Sequence, residues 1–313
     1  MVHFINSLVR PPLALMHDFR PPPYGGGNQF MLAFKRTVEQ RGIRCSANIV
    51  GRWTRACLFN SMNFDAAYLY DVKRRYPNIR MVHRVDGPKA SYRGYDDGSD
   101  RKVWEYNRDL ADASIFQSEF SLGEYRRMGY EFRSPCVIPN AVDSAIFHES
   151  GRIAPPDGCR KVRLISTAWS DNPNKGADTL EYLDAHLDKD RYEFRFVGRT
   201  SCEFNWIRLS EPVASPILAG ILRQHDIYIA ASINDPCSNA LLEALACGLP
   251  AVYRKSGGHP EIVKNAGVGF VEPAEAPSAI EKVLREYLQL HASIEINRIE
   301  GITELYLACC QLK

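Results

Sequence analysis

The chain has 313 residues, about twice the length of a common domain, so we expect two domains. Apolar residues make up 45% and charged residues 24%, which excludes a disordered or fibrous protein. The net charge of +2 gives no overall sign of nucleic-acid binding, although residues 1–148 hold 21 Lys and Arg against 15 Asp and Glu. This basic front half leaves open a peripheral contact with a membrane surface.

Nine cysteines, an odd number without a Cys-x-x-Cys pair, indicate reduced thiols rather than a disulfide framework or a zinc site. The first residues lack the basic and then apolar pattern of a signal peptide. No apolar run reaches the ~18–20 residues that cross a bilayer. We therefore expect a cytoplasmic protein, with any membrane association limited to that peripheral contact.

Short β-rich runs alternate with longer amphipathic stretches in the first half of the chain. A proline-rich loop follows the first predicted strand. The predicted strands are residues 2–5, 45–50, 80–84, 114–117 and 136–138, and the predicted helices are residues 28–40, 65–75, 101–111 and 118–128. This βαβα order is typical of a parallel sheet covered by helices on both faces.

The sequence Pro-Pro-Asp-Gly at 155–158 interrupts the alternation and predicts a hinge near residues 145–158. The alternation then resumes. The predicted strands are residues 162–166, 194–197, 226–230 and 251–253, and the predicted helices are residues 177–187, 239–246 and 277–290. Since ligands bind beyond the carboxyl ends of such strands, two doubly wound α/β domains that face each other would form a binding cleft.

The segment after the strand at 226–230 is the most informative. Ser238 is a suitable N-cap for the helix that follows. Free amides at the positive end of a helix dipole form a site for phosphate. The amides that lack backbone acceptors here belong to Asn239, Ala240 and Leu241.

Two carboxylates accompany this helix start. Glu243 lies about one turn into the helix, and helical side chains lean toward the N-terminus, so its carboxylate can reach a ribose joined to a bound diphosphate. Asp235 lies on the loop before the helix and can accept hydrogen bonds from sugar hydroxyls. The arrangement fits a nucleotide diphosphate-sugar, and an ordinary capped surface helix is the alternative.

Asp235-x7-Glu243, followed by Ala-Leu-Ala-Cys-Gly-Leu-Pro, resembles the Glu-x7-Glu segment of family-4 glycosyltransferases, which are retaining enzymes of the two-domain GT-B fold. Other segments match that family in the same order. They are Tyr-Gly-Gly-Gly at 24–27, Val-Ile-Pro-Asn-Ala-Val-Asp at 137–143, Asn-Lys-Gly at 174–176, Phe-Val-Gly at 196–198 and Ser-Gly-Gly-His-Pro-Glu-Ile-Val at 256–263. The resemblance covers nearly the whole chain and is more specific in the second half.

By that resemblance, Glu243 binds the nucleotide ribose, Lys175 binds the donor diphosphate and Asp235 contacts the transferred sugar. The family's Arg a few residues before the Lys is missing, and Arg199 is our candidate for the second cation. The other expected nucleotide-binding residues are Gly26, Gly27, Gly198, Ser238, Asn239, Ala240 and Leu241. Asp235 is one methylene shorter than the usual Glu, which leaves the sugar preference open.

On the acceptor side, the resemblance directs attention to His83. Members of the family place His or Asp in a comparable strand-end loop near the reacting sugar, and a histidine at the carboxyl end of a strand would face the cleft. We therefore take His83 as a catalytic candidate and Asp86 as a second one, with a structural histidine as the alternative. The long polar loop at 86–100 is expected to shape the acceptor pocket.

Together these inferences predict a retaining glycosyltransferase that moves a sugar from a nucleotide diphosphate-sugar to a hydroxyl of a glycan, lipid or small molecule. The resemblance implies attack from the leaving-group face, with no enzymic nucleophile. We expect no cofactor, no metal and no nucleic-acid partner, and we interpret Asp-Lys-Asp at 188–190 as a solvated turn. A catalytically inactive sugar-nucleotide-binding module, or an epimerase or phosphorylase of the same fold, is the alternative.

The expected domains are residues 1–147 for the acceptor and residues 148–292 for the donor. Residues 293–313 are expected to form a C-terminal helix that packs back toward the first domain. The sequence leaves the base, the linkage and the oligomeric state open.

Overall fold

The computed structural model describes residues 11–21 and 25–312. Of these, the residues up to Asn140 and those from Asn297 onward pack into a first unit, and Ala141–Ile296 forms a second unit. The sequence analysis placed the two divisions at 147/148 and 292/293. The strand predicted at 2–5 and Tyr24 of the glycine loop lie outside the described residues.

The first unit is built on a six-stranded sheet. Its strands are β1 (Leu13–Met16), β2 (Cys45–Ala47), β3 (Ala56–Asn60), β4 (Arg80–Val85), β5 (Ala113–Phe116) and β6 (Pro135–Val137). Its helices up to this point are α1 (Gly26–Gln40), α2 (Ala66–Arg75), α3 (Lys89–Arg93), α4 (Ser99–Leu110) and α5 (Glu119–Arg127). The strand order is β2-β1-β3-β4-β5-β6, and every pair is parallel.

Two strands of this sheet, β1 and β3, were missed by the sequence analysis, which read the region before α1 as a proline-rich loop. All four residues of β1 and all five of β3 are buried. A short strand covered on both faces shows no alternation of apolar and polar residues, so the period of two that identifies a half-buried strand is absent.

The second unit repeats this architecture. Its strands are β7 (Val162–Ala168), β8 (Tyr192–Gly198), β9 (Arg208–Ser210), β10 (Ile227–Ala230), β11 (Ala251–Arg254) and β12 (Gly267–Phe270). Its helices are α6 (Ala177–His186), α7 (Ser215–Leu222), α8 (Asn239–Ala246), α9 (His259–Val263), α10 (Ala276–Arg285) and α11 (Tyr287–Ala292). The strand order is β12-β11-β10-β7-β8-β9, again with every pair parallel.

The sequence analysis did not predict β9, α7 or β12, and it joined α10 and α11 into one helix. The chain leaves the helical conformation at Glu286, where φ is −105° and ψ is 15°. In β10 the side chains alternate between two cores, with Tyr228 and Ala230 on one face and Ile227 and Ile229 on the other. Both faces of the sheet are therefore covered, and the predicted α/β class with two doubly wound domains is confirmed.

The last helix, α12 (Ile299–Cys309), belongs to the first unit. Tyr306 on α12 packs against two rings of α1, with 5.3 Å between its ring centroid and that of Phe30 and 5.3 Å to that of Phe34. Such aromatic pairs contribute about 0.5–1.5 kcal/mol each beyond the burial of their area. No helix in the described ranges is long and apolar enough to cross a membrane.

Each sheet has one point at which the strand order reverses. In the first unit β1 lies between β2 and β3, and in the second β7 lies between β8 and β10. The helices that follow the two strands at such a point cover opposite faces of the sheet, and this leaves a crevice at the carboxyl ends of the strands. These two edges are the places where ligand sites are expected.

Candidate functional site

Lys175 and Asp235 meet at the carboxyl edge of the second sheet, where its strand order reverses. Lys175 ends a short 3-10 turn (Pro173–Lys175) after β7, and Asp235 lies on the loop after β10. The Lys175 Nζ donates a hydrogen bond to Asp235 Oδ2 at 2.6 Å. The Asp235 side chain is 9% exposed and that of Lys175 is 34% exposed, so the cation is the more accessible partner.

Gly176 allows the turn that carries Lys175 to lie against the end of β10. Its φ is 98°, and a Cβ at this position would stand 2.3 Å from the Cβ of Ala231. The amide of Ile233 donates to the carbonyl of Asn174 at 2.7 Å. Any side chain at position 176 would push the two loops apart, so the glycine is required by the contact that brings Lys175 to Asp235.

Asp235 is held in its charged form. Burial alone would raise the pKa of Asp235, but the nearby Lys175 ammonium and His259 outweigh burial and hold that pKa below its usual value. The amide of Cys237 donates to Asp235 Oδ1 at 3.2 Å. The Nε2 of His259 lies 3.1 Å from the hydroxyl of Ser232, and burial lowers the pKa of His259 although the Asp235 carboxylate opposes that change.

Helix α8 begins as the sequence predicts, because Ser238 is its N-cap. The Ser238 hydroxyl accepts a hydrogen bond from the amide of Leu241 at 3.3 Å, so the expectation that the Leu241 amide holds phosphate is corrected. The amide of Ala240 makes no hydrogen bond within the described part of the chain, and this residue is partly exposed. Ala240 therefore offers a donor at the positive end of the helix.

Glu243 lies one turn into α8 and is partly buried. Desolvation raises the pKa of Glu243 from 4.5 to about 8. Over residues 11–21 and 25–312, no hydrogen bond or ion pair reaches its carboxyl group. A carboxyl group that loses water without gaining a partner is costly to bury, and this cost falls when a ligand supplies hydroxyl donors.

Gly198 ends β8 beside Ala168 of β7, and Arg199 follows it directly. The φ of Gly198 is 137°, and a Cβ there would stand 1.8 Å from the carbonyl oxygen of Ala168, so the approach of β8 to β7 requires the glycine. The amide of Arg199 donates to that same carbonyl at 3.0 Å. The Arg199 guanidinium lies over the ring of Trp169, 5.0 Å from its centroid, and its role as the second cation stays a prediction.

In the first unit, His83 is fully buried, which corrects the expectation that its side chain is accessible. Its ring stacks on Phe59 at a centroid distance of 4.3 Å. Its Nε2 lies 2.9 Å from the carbonyl of Ser61, and its Nδ1 lies 3.1 Å from the side-chain nitrogen of Asn107. Burial lowers the pKa of His83 from 6.5 to about 4, against the hydrogen bond of Ser61, so the ring is neutral and structural.

Asp86, the second candidate, lies at the carboxyl end of β4 with its side chain 34% exposed. It forms an ion pair with the fully buried Arg84, and the side chains of Asn60 and Gln117 donate to it as well. Arg84 also donates to the side chain of Asn140 at 2.9 Å. Burial would raise the pKa of Asp86, but Arg84 and these hydrogen bonds outweigh it and hold that pKa below its usual value.

This polar cluster includes a histidine that the sequence analysis missed. His17 directly follows β1 and is buried, and its Nε2 has no partner in the part of the chain that the structure describes. Burial lowers the pKa of His17, although the charge of Asp86 opposes this. Gly26 and Gly27 start α1, and a Cβ at Gly27 would stand 3.3 Å from Asp86 Oδ2.

Neither half of the described chain brings three or more His, Cys, Asp or Glu side chains together as metal ligands. The segment at 188–190 is an exposed turn, as predicted, in which Asp188 Oδ1 accepts a hydrogen bond from the amide of Asp190 at 2.9 Å.

Part of the sequence is similar to known glycosyltransferases. A family model described as Glycosyl transferases group 1 matches residues 215–298, which contain Asp235 and Glu243 but not Lys175. The D-inositol 3-phosphate glycosyltransferase of Corynebacterium glutamicum (strain R) is 25% identical over 195 residues, which are 62% of this chain and 40% of that relative.

Solved structures match the whole described fold. Sucrose-phosphate synthase from Thermosynechococcus elongatus has a TM-score of 0.73 at 13% identity, with 96% of this chain and 98% of that chain covered. The Anabaena protein Alr3699/HepE, in complex with UDP-glucose, has a TM-score of 0.65 at 16% identity, with 96% of each chain covered. These similarities confirm the predicted GT-B fold of two Rossmann-like domains.

The matched family segment and the name of the Corynebacterium relative support the predicted class of enzyme, a glycosyltransferase. The chain spans 40% of the length of that relative. The substrates of the relative therefore do not follow from the match.

Proposed function

We propose that this protein transfers a sugar from a nucleotide diphosphate-sugar to an acceptor hydroxyl with retention of anomeric configuration. The observation that carries the proposal is the arrangement around the start of α8. There the Lys175–Asp235 ion pair, the amide of Ala240 and the carboxyl of Glu243, the last two without a partner among the described residues, lie on the loops and the helix that follow the two strands at the reversal point.

The diphosphate is bound by positive groups. The ammonium of Lys175 is a compact charge that remains partly open to solvent, and the Ala240 amide adds a donor with the dipole of α8 behind it. Glu243 then accepts hydrogen bonds from the ribose hydroxyls. This assignment explains why its carboxyl group is desolvated but has no partner in the described part of the chain.

Asp235 contacts the transferred sugar. In the structure its carboxylate is neutralised by Lys175, which lowers the cost of burying it. When a donor diphosphate also pairs with the Lys175 ammonium, the carboxylate oxygens of Asp235 become available to accept hydrogen bonds from sugar hydroxyls. The pair therefore both stabilises the unliganded site and couples binding of the diphosphate to binding of the sugar.

In the reaction, the bond between the anomeric carbon and the diphosphate oxygen breaks, and a bond from the acceptor oxygen to that carbon forms on the same face. The acceptor proton passes to the departing diphosphate oxygen, so the atoms balance without a protein nucleophile. Lys175 and the Ala240 amide stabilise the charge that develops on the diphosphate. Preplaced donors of this kind are worth roughly 2.7–4 kcal/mol each.

We assign acceptor binding to the first unit. Asp86 replaces His83 as our candidate for contact with the acceptor, because the Asp86 carboxylate is partly exposed whereas the His83 ring is buried. The acceptor class, whether glycan, lipid or small molecule, stays a prediction. Since Lys175 and the helix amide supply the charge, we expect a chelator such as EDTA to leave the transfer rate unchanged.

The test begins with a thermal-shift screen against a panel of UDP- and GDP-sugars, followed by calorimetry and a transfer assay with the best donor. Glu243→Gln and Lys175→Met should each weaken donor binding and abolish transfer. Glu211→Gln and Lys189→Met, exposed residues of the same unit, should not. Normal transfer in both site variants would refute the proposal.

The alternatives give different results with the same proteins. Donor binding without hydrolysis or transfer to any acceptor would identify an inactive binding module. Turnover that needs inorganic phosphate, or that proceeds without an acceptor, would identify a phosphorylase or an epimerase.

A further inference from the structure

A strongly basic cavity lies in the first unit, away from the residues described above. Its volume is about 480 Å³, and its wall contains four arginines, Arg52, Arg55, Arg75 and Arg80. None of the described residues that line it is Asp or Glu. The mildly basic front half of the chain therefore concentrates part of its charge in one concave site.

The fold itself brings these arginines together. Arg55 immediately precedes β3 and Arg80 opens the neighbouring strand β4, and the amide of Arg80 donates to the carbonyl of Arg55 at 2.9 Å. Arg75 ends α2, which leads into β4, and Arg52 lies on the loop before β3. All four belong to the connections at the amino ends of two adjacent parallel strands, so their spacing is fixed by the sheet.

Among the residues that the structure describes, the four guanidinium groups have no carboxylate partners. Within the described ranges, no ion pair reaches any of them, and Arg80 uses one donor on the carbonyl of Cys309 at 3.3 Å. The neighbouring Arg74 shows the contrast, because it points elsewhere and pairs with Asp71. Like charges gathered without a counter-charge repel one another, and a bound anion would remove that repulsion.

We propose that this cavity is a binding site for a ligand that carries several phosphate charges. Arginine suits this chemistry because its planar fork donates two parallel hydrogen bonds to phosphate oxygens. The side chains of Thr54 and Asn78 in the same wall add neutral donors. The cavity volume of about 480 Å³ is large enough for a small ligand with several phosphate groups.

This site is separate from the donor site of the proposed function. It lies at the amino ends of β3 and β4, whereas Asp86 and Asn60 lie at their carboxyl ends. A strand of five residues spans roughly 17 Å, so the two edges do not share a ligand. The Lys175 site is in the other unit altogether.

The experiment measures binding of sodium tripolyphosphate by calorimetry at low ionic strength. Arg55→Gln/Arg75→Gln removes two charges from the cavity, and both side chains are exposed. Arg74→Gln/Arg101→Gln is the matched control, since it removes two exposed arginines of the same unit that lie outside the cavity and pair with acids. Each protein is also measured with Lys175→Met, so that anion binding at the donor site is counted separately.

We expect binding that survives Lys175→Met, that falls about tenfold or more in the cavity variant, and that changes less than about twofold in the control. Equal losses in the cavity and control variants would mean that overall charge is responsible, and this would overturn the proposal. If no tripolyphosphate binding remains beyond the Lys175-dependent part and the vesicles described next do not discriminate between the variants either, the proposal is overturned as well. Melting temperatures of the two double variants close to wild type show that the fold is intact.

A second arm identifies the source of the phosphate. The same proteins are sedimented with phosphatidylcholine vesicles that contain about one fifth phosphatidic acid. Sedimentation that is lost in the cavity variant but kept in the control assigns the site to lipid headgroups. If the cavity and control variants differ in tripolyphosphate binding but not in sedimentation with vesicles, the site is assigned to a free phosphorylated compound. If neither probe discriminates between the two double variants, the cavity is not a phosphate site.

Discussion

Glu243→Gln tests whether helix α8 keeps a carboxyl group for a ligand at a cost in stability. The pKa of Glu243 is raised from 4.5 to about 8 by desolvation, so the folded protein holds a proton that the unfolded chain releases. Without ligand, the free energy of unfolding therefore decreases as the pH rises from about 4.5 to about 8. Glutamine carries no charge and escapes this loss.

The expected size follows from the exposure of the side chain. If the whole rise in pKa acted on stability, the free energy of unfolding would decrease by ~5 kcal/mol. Because Glu243 is only partly buried, solvent screens the charge, and we expect a gain of about 1–2 kcal/mol for Glu243→Gln above pH 8. For a unit of this size, 1 kcal/mol shifts the melting temperature by about 2–4 °C.

The assay compares the melting temperatures of wild type, Glu243→Gln and the exposed control Glu211→Gln at about pH 4.5 and about pH 8.5 without ligand. Glu243→Gln should melt several degrees above wild type at the higher pH and at the same temperature at the lower pH, and it should lose affinity for the nucleotide. Equal melting temperatures at the higher pH would refute the desolvation argument. Undiminished nucleotide affinity would refute the assignment to the ribose.

Three other predictions concern single contacts. Lys175→Met leaves the Asp235 carboxylate buried without a cation and should lower the free energy of unfolding by about 1–3 kcal/mol at neutral pH, as measured by thermal unfolding. The double variant Lys175→Met/Asp235→Asn should recover part of this lost stability. Strict additivity of the two single changes would contradict the pairing. Because the pKa of His83 falls from 6.5 to about 4 on folding, wild type should lose stability as the pH drops through that window, whereas His83→Gln should lack this pH dependence when melting is followed from pH 7 to 4. Gly198→Ala places a methyl group against the carbonyl of Ala168 and should lower the melting temperature by ten degrees or so, or prevent folding, and a wild-type melting curve would disprove the close approach.

The start of α8 could be predicted from the sequence because its signals are local. A serine that accepts a hydrogen bond from the third helical amide defines where the helix begins, and the structure gives Asn239–Ala246, as predicted. The contact between Lys175 and Asp235 is different. It joins loops sixty residues apart in the sequence, and only the order of β7 and β10 in the sheet brings them together.

The acceptor side was harder to predict because β1 and β3 carry no alternating pattern. Without β1 and β3, His17 and Asn60 could not be recognised as strand-end residues. The assignment of His83 failed for a related reason. The strand β4 continues to Val85, so His83 lies within the sheet, where its ring packs against Phe59, and the strand-end position falls to Asp86. The strand was predicted to end at residue 84, one residue before its observed end, and a core residue was taken for a strand-end residue.

The return of the chain to the first unit at Asn297 determines the order in which the two units can be completed during translation. Ala141–Ile296 is continuous, so the second unit can close its core as soon as that stretch has left the ribosome. The first unit, although most of its sequence is made earlier, lacks α12 until residue 309 has been synthesised, and until then Phe30 and Phe34 are without the ring of Tyr306. Of these two units, the one whose synthesis begins first is therefore the one that is completed last, and its unfinished apolar surface is the one that chaperones would meet.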